Sequence, residues 1–206
     1  MSKKNISQEK IIQAFLSSAF DKSAGATSLA DVADTLEIKK ASLYNHFESR
    51  EAMYDASISY CQKEIGQVEF LTQKVFDSVQ AGKITVPAAI KKLIARYFAL
   101  FDSEPLFKMY VFVHIEQYFN AAALKIVQEQ IEKINEDIKK LVETKEIASS
   151  LTSLILQQLD AYIAVRKETI RQNPETGAGS LFELPSDNNI INKAGKLAEA
   201  YLTTAL

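Results

Sequence analysis

An all-α protein is what this sequence predicts, on three observations. Helix breakers are scarce, with 6 glycines and 4 prolines in 206 residues. Apolar residues recur at three- and four-residue spacing along most of the chain, the stripe of an amphipathic helix. Hydroxyl or acidic residues stand just ahead of several stripes, where a helix start needs acceptors for its free N–H groups. The pattern divides the chain into a three-helix unit over 1–48, a connecting helix over 49–66 and a larger helical domain over 67–206.

Lys3 and Lys4 form a short polar arm, read as solubilising residues. Ser7 caps a first helix that runs to about Lys22, with Ile11, Ile12, Phe15, Leu16, Ala19 and Phe20 as its buried stripe. Gly25 ends the connection to a second helix. There Leu29, Val32, Ala33 and Leu36 recur at i, i+3, i+4 and i+7, and Ser28 with Asp31 spells a capping box. A tight turn around Glu37 to Lys40 leads to a third helix, Ala41 to Phe47, with Leu43 and Phe47 on one face. Two short helices across such a turn make a helix-turn-helix, whose second member can lie in a DNA major groove. That member leaves Ser42, Tyr44, Asn45 and His46 outside, preceded by Lys39 and Lys40. Such side chains suit phosphates and base edges; they suit an ordinary solvated face equally well, and the residues alone leave both readings open. Ser49 caps a fourth helix with Arg50 and Glu51 in its first turn. The glutamate suits the helix dipole there; the arginine does not, unless an anion lies nearby.

From Gln67 onward the spacing predicts helices over Val68–Val79, Pro87–Asp102, Pro105–Phe119, Ala121–Glu143, Lys145–Gln172 and Asn188–Ala205. Ala81-Gly82-Lys83 breaks the first of these from the next, and Pro87 fits a first helical turn. The stretch 173–187 reads as a loop; its Gly177 and Gly179 lack the strand–helix context of a phosphate cradle. Tyr97, Phe101, Phe107, Tyr110, His114, Gln117 and Tyr118 concentrate rings and polar atoms on two neighbouring helices. This is the general form of a small-molecule pocket, or simply a well-filled core. His114 and Glu116, two apart on a helix, are not a metal signature. Two apolar stripes, one of Leu151, Leu154, Ile155, Gln158 and Tyr162 and one of Ile191, Ala194, Leu197, Ala198, Tyr201 and Leu202, can cover either the subunit's own core or a symmetry mate.

Composition narrows the class. The single cysteine, Cys61, excludes an internal disulfide, fits a reducing compartment and reads as a packed thiol. No signal-peptide pattern and no long uncharged apolar run is present, so a cytoplasmic protein without a membrane span is expected. No nucleophile–base pair, metal-ligand cluster or glycine-rich phosphate loop stands out, which argues against an enzyme and predicts no cofactor. The formal net charge is −2, and residues 1–64 carry eight basic against nine acidic side chains. Any nucleic-acid contact must therefore come from local clustering, and Lys39, Lys40 and Arg50 bracket the third helix.

The stretch LADVADTLEIKKASLYNHFESREAMY resembles the DNA-binding domain of the TetR family of transcriptional regulators. The small-residue helix Leu29–Leu36, then Ser42-Leu43-Tyr44-x-His46-Phe47, then Arg50-Glu51 carry the likeness, which is clearest over Ile11–Tyr54. The sequence departs from the family pattern in Glu37, where glycine is usual in the turn, in Lys39, where a serine or threonine often caps the helix, and in Ala41, where glycine is common. The resemblance implies a homodimer, assembled through the last two long helices, that binds a roughly palindromic double-stranded DNA operator as a ligand-responsive regulator, a repressor. It implies phosphate contacts by Thr27, Ser28, Tyr44, His46 and Arg50, base-edge contacts by Lys39, Lys40, Ser42 and Asn45, and a place for Ala41 against a thymine methyl. It also implies an unidentified small-molecule effector in the aromatic pocket. The rival expectation is a helical interaction module, or a constitutive DNA binder without an effector.

Overall fold

The computed structural model describes residues 6–173 and 188–205. The Lys3–Lys4 arm and, apart from Asn173, the 173–187 loop with Gly177 and Gly179 lie outside the described residues. The described chain is helical, with no strand: α1 Gln8–Lys22, α2 Leu29–Thr35, α3 Lys40–Leu43, α4 Arg50–Gly66, α5 Gln73–Gln80, α6 Val86–Phe101, α7 Leu106–Glu116, α8 Ala121–Lys139, α9 Lys145–Gln172 and α10 Asn188–Ala205. They fall into two compact units, one of Met1–Gln67 with Lys108–Val127, the other of Val68–Phe107 with Gln128–Leu206. The first therefore gathers more than the expected N-terminal segment.

In the first unit the caps follow the sequence. Ser7 accepts from the Lys10 N–H and Ser49 from the Ala52 N–H. Ile11, Phe15 and Leu16 of α1 are buried, as are Val32 and Ala33 of α2, Leu43 of α3 and Met53, Ile58 and Cys61 of α4. Phe15 meets Tyr54 and Phe112 edge-on, at 6.3 and 6.1 Å between ring centres. Phe112 of α7 meets both Phe15 and Tyr54, which ties α7 to α1 and α4 within the unit. Burial pushes the Cys61 thiol up to about 12, so it is a packed neutral side chain.

In the second unit α6 packs along α10, with α5 and α9 also against it. Gly195 of α10 permits a close approach, because a Cβ there would sit 2.8 Å from Lys91 Cγ. Asp102, just past the end of α6, accepts from buried Arg166 of α9 at 2.9 Å. Removing either partner of a buried pair strands the other charge at about 3–5 kcal/mol.

Several element boundaries differ from expectation, among them the end of α8 at Lys139 and not Glu143. The third helix has only four α-helical residues, beginning at Lys40, and Phe47 lies beyond it. It closes through tighter bonds, with the Asn45 N–H on the Ser42 carbonyl and the His46 N–H on the Leu43 carbonyl. The segment from Val68 is not helical until Gln73, because the Leu71 N–H is taken by Asp137 at 3.1 Å and Phe70 is buried against Tyr97. Helix α7 stops at Glu116 because Asn120 turns its side chain onto the N–H groups of Ala122 and Ala123 and starts α8.

Candidate nucleic-acid interface

The candidate interface is built by α2, α3 and the turn between them. Helix α2 is closed at both ends by residues close to it in the chain. Ser28 Oγ accepts from the Asp31 N–H while the Asp31 carboxylate accepts from the Ser28 N–H at 2.7 Å, completing the capping box. Lys22 reaches Asp31 at 2.5 Å, and these partners hold its carboxyl well below the usual range, the lysine hydrogen bond first. At the other end the Ile38 N–H bonds the Ala33 carbonyl and the Glu37 N–H the Asp34 carbonyl. This is a Schellman ending, with Glu37 at φ 55° in the left-handed position that glycine favours.

Helix α3 has no such closure. Its N-cap, Lys39, makes no side-chain cap bond, as expected for a side chain without an acceptor. Leu43, 1% exposed, and Phe47 anchor it, and Gln8 Nε2 of α1 donates to the His46 carbonyl at 3.0 Å. Lys39, Lys40, Ala41 and Asn45 are exposed, Ser42 and His46 half-buried and Tyr44 is 52% exposed. Among the described residues the side chains of Lys39, Lys40, Ser42, Tyr44, Asn45 and His46 make no hydrogen bond or ion pair. Gln8 carries no sequence signal for its role, since its partner lies 38 residues away.

Two expected phosphate ligands are occupied elsewhere. Thr27 is 1% exposed and its hydroxyl donates to the Ser23 carbonyl at 2.8 Å, so that group does not face a partner. Arg50 Nε donates to the Thr27 carbonyl at 2.8 Å and Nη2 to the Ala24 carbonyl. The partial negative charge that an arginine at a helix start needs is thus supplied by two backbone oxygens. Ser28 is exposed, but its hydroxyl also donates to Asp31 at 2.7 Å.

The seven aromatic and polar residues expected to share a pocket divide between the units. In the second, Tyr97, Phe101 and Phe107 are buried, the Tyr97 ring meets Phe70 and Phe101 edge-on, and its hydroxyl accepts from Gln130 Nε2 at 2.8 Å. Burial pushes the Tyr97 phenol above its ordinary range. In the first, buried Tyr110 stacks on His114 at 3.8 Å and Gln117 donates to the His114 carbonyl at 2.7 Å. Tyr118 does not line an enclosed space: it is 80% exposed, in the turn that follows α7. Sequence reasoning missed Gln130 and also Glu116, which accepts from the Tyr54 hydroxyl at 2.7 Å.

The expected dimer stripes are largely spent inside the chain. Leu151, Ile155, Tyr162, Ile191, Ala194, Ala198 and Leu202 are buried, whereas Leu197 is 42% and Tyr201 37% exposed and Leu154 and Gln158 are half-buried. Val165, 55% exposed, continues the outer row of α9. A stripe at helical spacing cannot distinguish the two uses, and α6 claims most of the α10 stripe.

Among the described residues, a short helix anchored by Leu43 and Phe47, set across a tight turn from a capped partner and with no side-chain bonds on its outer face, defines a helix-turn-helix motif in an otherwise helical chain. Residues 11–57 match the model of the tetR family of bacterial regulatory proteins. A curated relative, the biofilm operon icaADBC HTH-type negative transcriptional regulator IcaR of Staphylococcus aureus, is 33% identical over 66 residues. That match takes in 32% of this chain and 36% of IcaR; the chain is thus aligned with about a third of the relative's length. Among solved structures, a TetR transcriptional regulator from Legionella pneumophila has a TM-score of 0.62 at 19% identity, covering 95% of this chain and 98% of that one. A transcriptional regulator from Rhodococcus sp. Rha1 also reaches 0.62, at 12% identity and 97% of both chains. Both likenesses concern the fold. No described helix is long and apolar enough to cross a membrane.

Proposed function

We propose that this protein is a DNA-binding transcriptional repressor that grips a roughly palindromic operator as a homodimer and is released by a small-molecule effector. The observation that carries the reading is the outer face of α3, where the side chains of Lys39, Lys40, Ser42, Tyr44 and Asn45 have no hydrogen-bond or ion-pair partner among the described residues. Lysines reach guanine and asparagine pairs with adenine in the major groove, while Tyr44, His46 and Ser28 suit phosphates and Ala41 a thymine methyl. The negative regulation named for IcaR supports the repressor assignment. Dimerisation is assigned to the outer rows of α9 and α10, with Leu154, Gln158, Val165, Leu197 and Tyr201 as contacts. An effector acts only by binding one conformer better than another, and a coupling of about 1–3 kcal/mol shifts operator affinity roughly 5–150-fold. The Tyr97–Gln130 pair, polar atoms among aromatic rings, supports a site of that kind in the second unit.

The test is a gel-shift titration on a duplex selected from a randomised library by the wild-type protein. Tyr44→Phe and Lys40→Ala are expected to weaken binding with no change in mass by light scattering or in melting temperature. Wild-type binding by both variants refutes the reading face, and a monomer at micromolar concentration refutes the dimer.

A further inference from the structure

We infer that Arg50 serves DNA binding as a positioning residue and not as a phosphate ligand: its guanidinium locks the α1–α2 connection to the start of α4 and so sets the angle of the helix pair. The inference rests on the DNA-binding reading above. The fork spends Nε on the Thr27 carbonyl at 2.8 Å and Nη2 on the Ala24 carbonyl, one residue and four residues ahead of the α2 cap Ser28. Nη1 stands 4.0 Å from Glu51, which balances part of the charge in the same turn. The connection has its own ties, the Thr27 hydroxyl to the Ser23 carbonyl and the Thr27 N–H to the Ala24 carbonyl. A displacement of this loop therefore moves α2 with it.

The other side of Arg50 is equally determined. Its guanidinium carbon lies 6.0 Å from the centre of the Phe15 ring, the same ring that Tyr54 and Phe112 meet edge-on. Tyr54, one turn along α4, is held by Glu116 at 2.7 Å. Arg50 thus joins a buried aromatic knot to the loop that carries the reading helices. A planar fork with fixed N–H directions can hold two carbonyls at once. An ammonium on a flexible stem keeps the charge and loses that geometry.

Charge and geometry are separated by Arg50→Lys and Arg50→Gln, titrated against the selected duplex over a range of salt concentrations, with melting temperatures recorded alongside. The expected result is a loss of affinity of roughly ten-fold in both variants, with the slope of log K against log salt equal to wild type. A phosphate ligand behaves otherwise: Arg50→Lys retains affinity and Arg50→Gln lowers the slope by about one, and that result overturns the inference. Unchanged affinity with a lower melting temperature, or a variant that no longer folds, assigns Arg50 to stability alone and overturns it too. If the wild-type protein selects no duplex, the DNA-binding reading itself fails, and this inference with it.

Discussion

Helices α2 and α3 stand side by side in one motif and are held in opposite ways. The seven residues of α2 are satisfied at both ends by near neighbours in the chain, through the capping box, the Lys22 ion pair and the Schellman ending. The four of α3 have no side-chain cap and bury one side chain. A helix that short does not persist in water by itself, so α3 exists because Leu43 and Phe47 are buried and Gln8 holds the His46 carbonyl. The contrast separates scaffold from reader. Helix α2 uses its polar groups inward and locally, whereas α3 delegates its folding to two apolar anchors and keeps its polar groups outside.

The contrast is broken most directly at the anchor. Leu43→Ala is expected to cost about 3 kcal/mol, the range for a buried leucine that leaves a cavity, read from the denaturation midpoint. It should abolish duplex binding at temperatures where the rest of the protein remains folded. A loss under about 1 kcal/mol means that α3 has other supports and that the contrast is overstated.

A smaller effect is expected at the turn. Glu37 occupies a left-handed position at φ 55°, where a side chain costs roughly 1–2 kcal/mol and glycine loses part of that gain through its freer unfolded chain. Glu37→Gly should therefore stabilise by about 1 kcal/mol, a rise of roughly 3 °C for a chain of this size. An unchanged or lower melting temperature shows that the glutamate's own contacts outweigh the strain.

How far the sequence could be read follows the same division between local and distant partners. Ser7, Ser28 and Ser49 were legible as caps because each acceptor bonds an N–H three residues on. The Lys145–Gln172 and Asn188–Ala205 helices were legible because long apolar stripes survive any tertiary context. Arg50 was not, since its carbonyls lie 23 and 26 residues back, and a basic residue at a helix start looks the same whether a phosphate or a loop is its partner. Val68–Leu71 looked helical because its apolar residues carry no record that Asp137, 66 residues away, takes the Leu71 N–H. The same ambiguity divided the α9 and α10 stripes, in which Leu151 and Ala198 serve the chain's own core and Leu197 does not.

The mildest effect, and the finest test of the contrast, is acid. Lys22 and Ser28 hold the Asp31 carboxyl below its ordinary range in the folded chain. The folded state thus binds a proton there less readily than the unfolded state. Its stabilising contribution is complete above the ordinary carboxylate pKa and is lost as pH falls through that range toward the lowered folded value. Because the group is at the surface, solvent and salt screen the effect. The expected observation is a small melting-temperature gap between wild type and Asp31→Asn at neutral pH that narrows from about pH 4 downward and shrinks with added salt. Lys40→Ala should show no such gap, because Lys40 has no partner to lose among the described residues. A gap at Asp31 that ignores pH, or one at Lys40 that follows it, would mean that the two helices are not held in different ways after all.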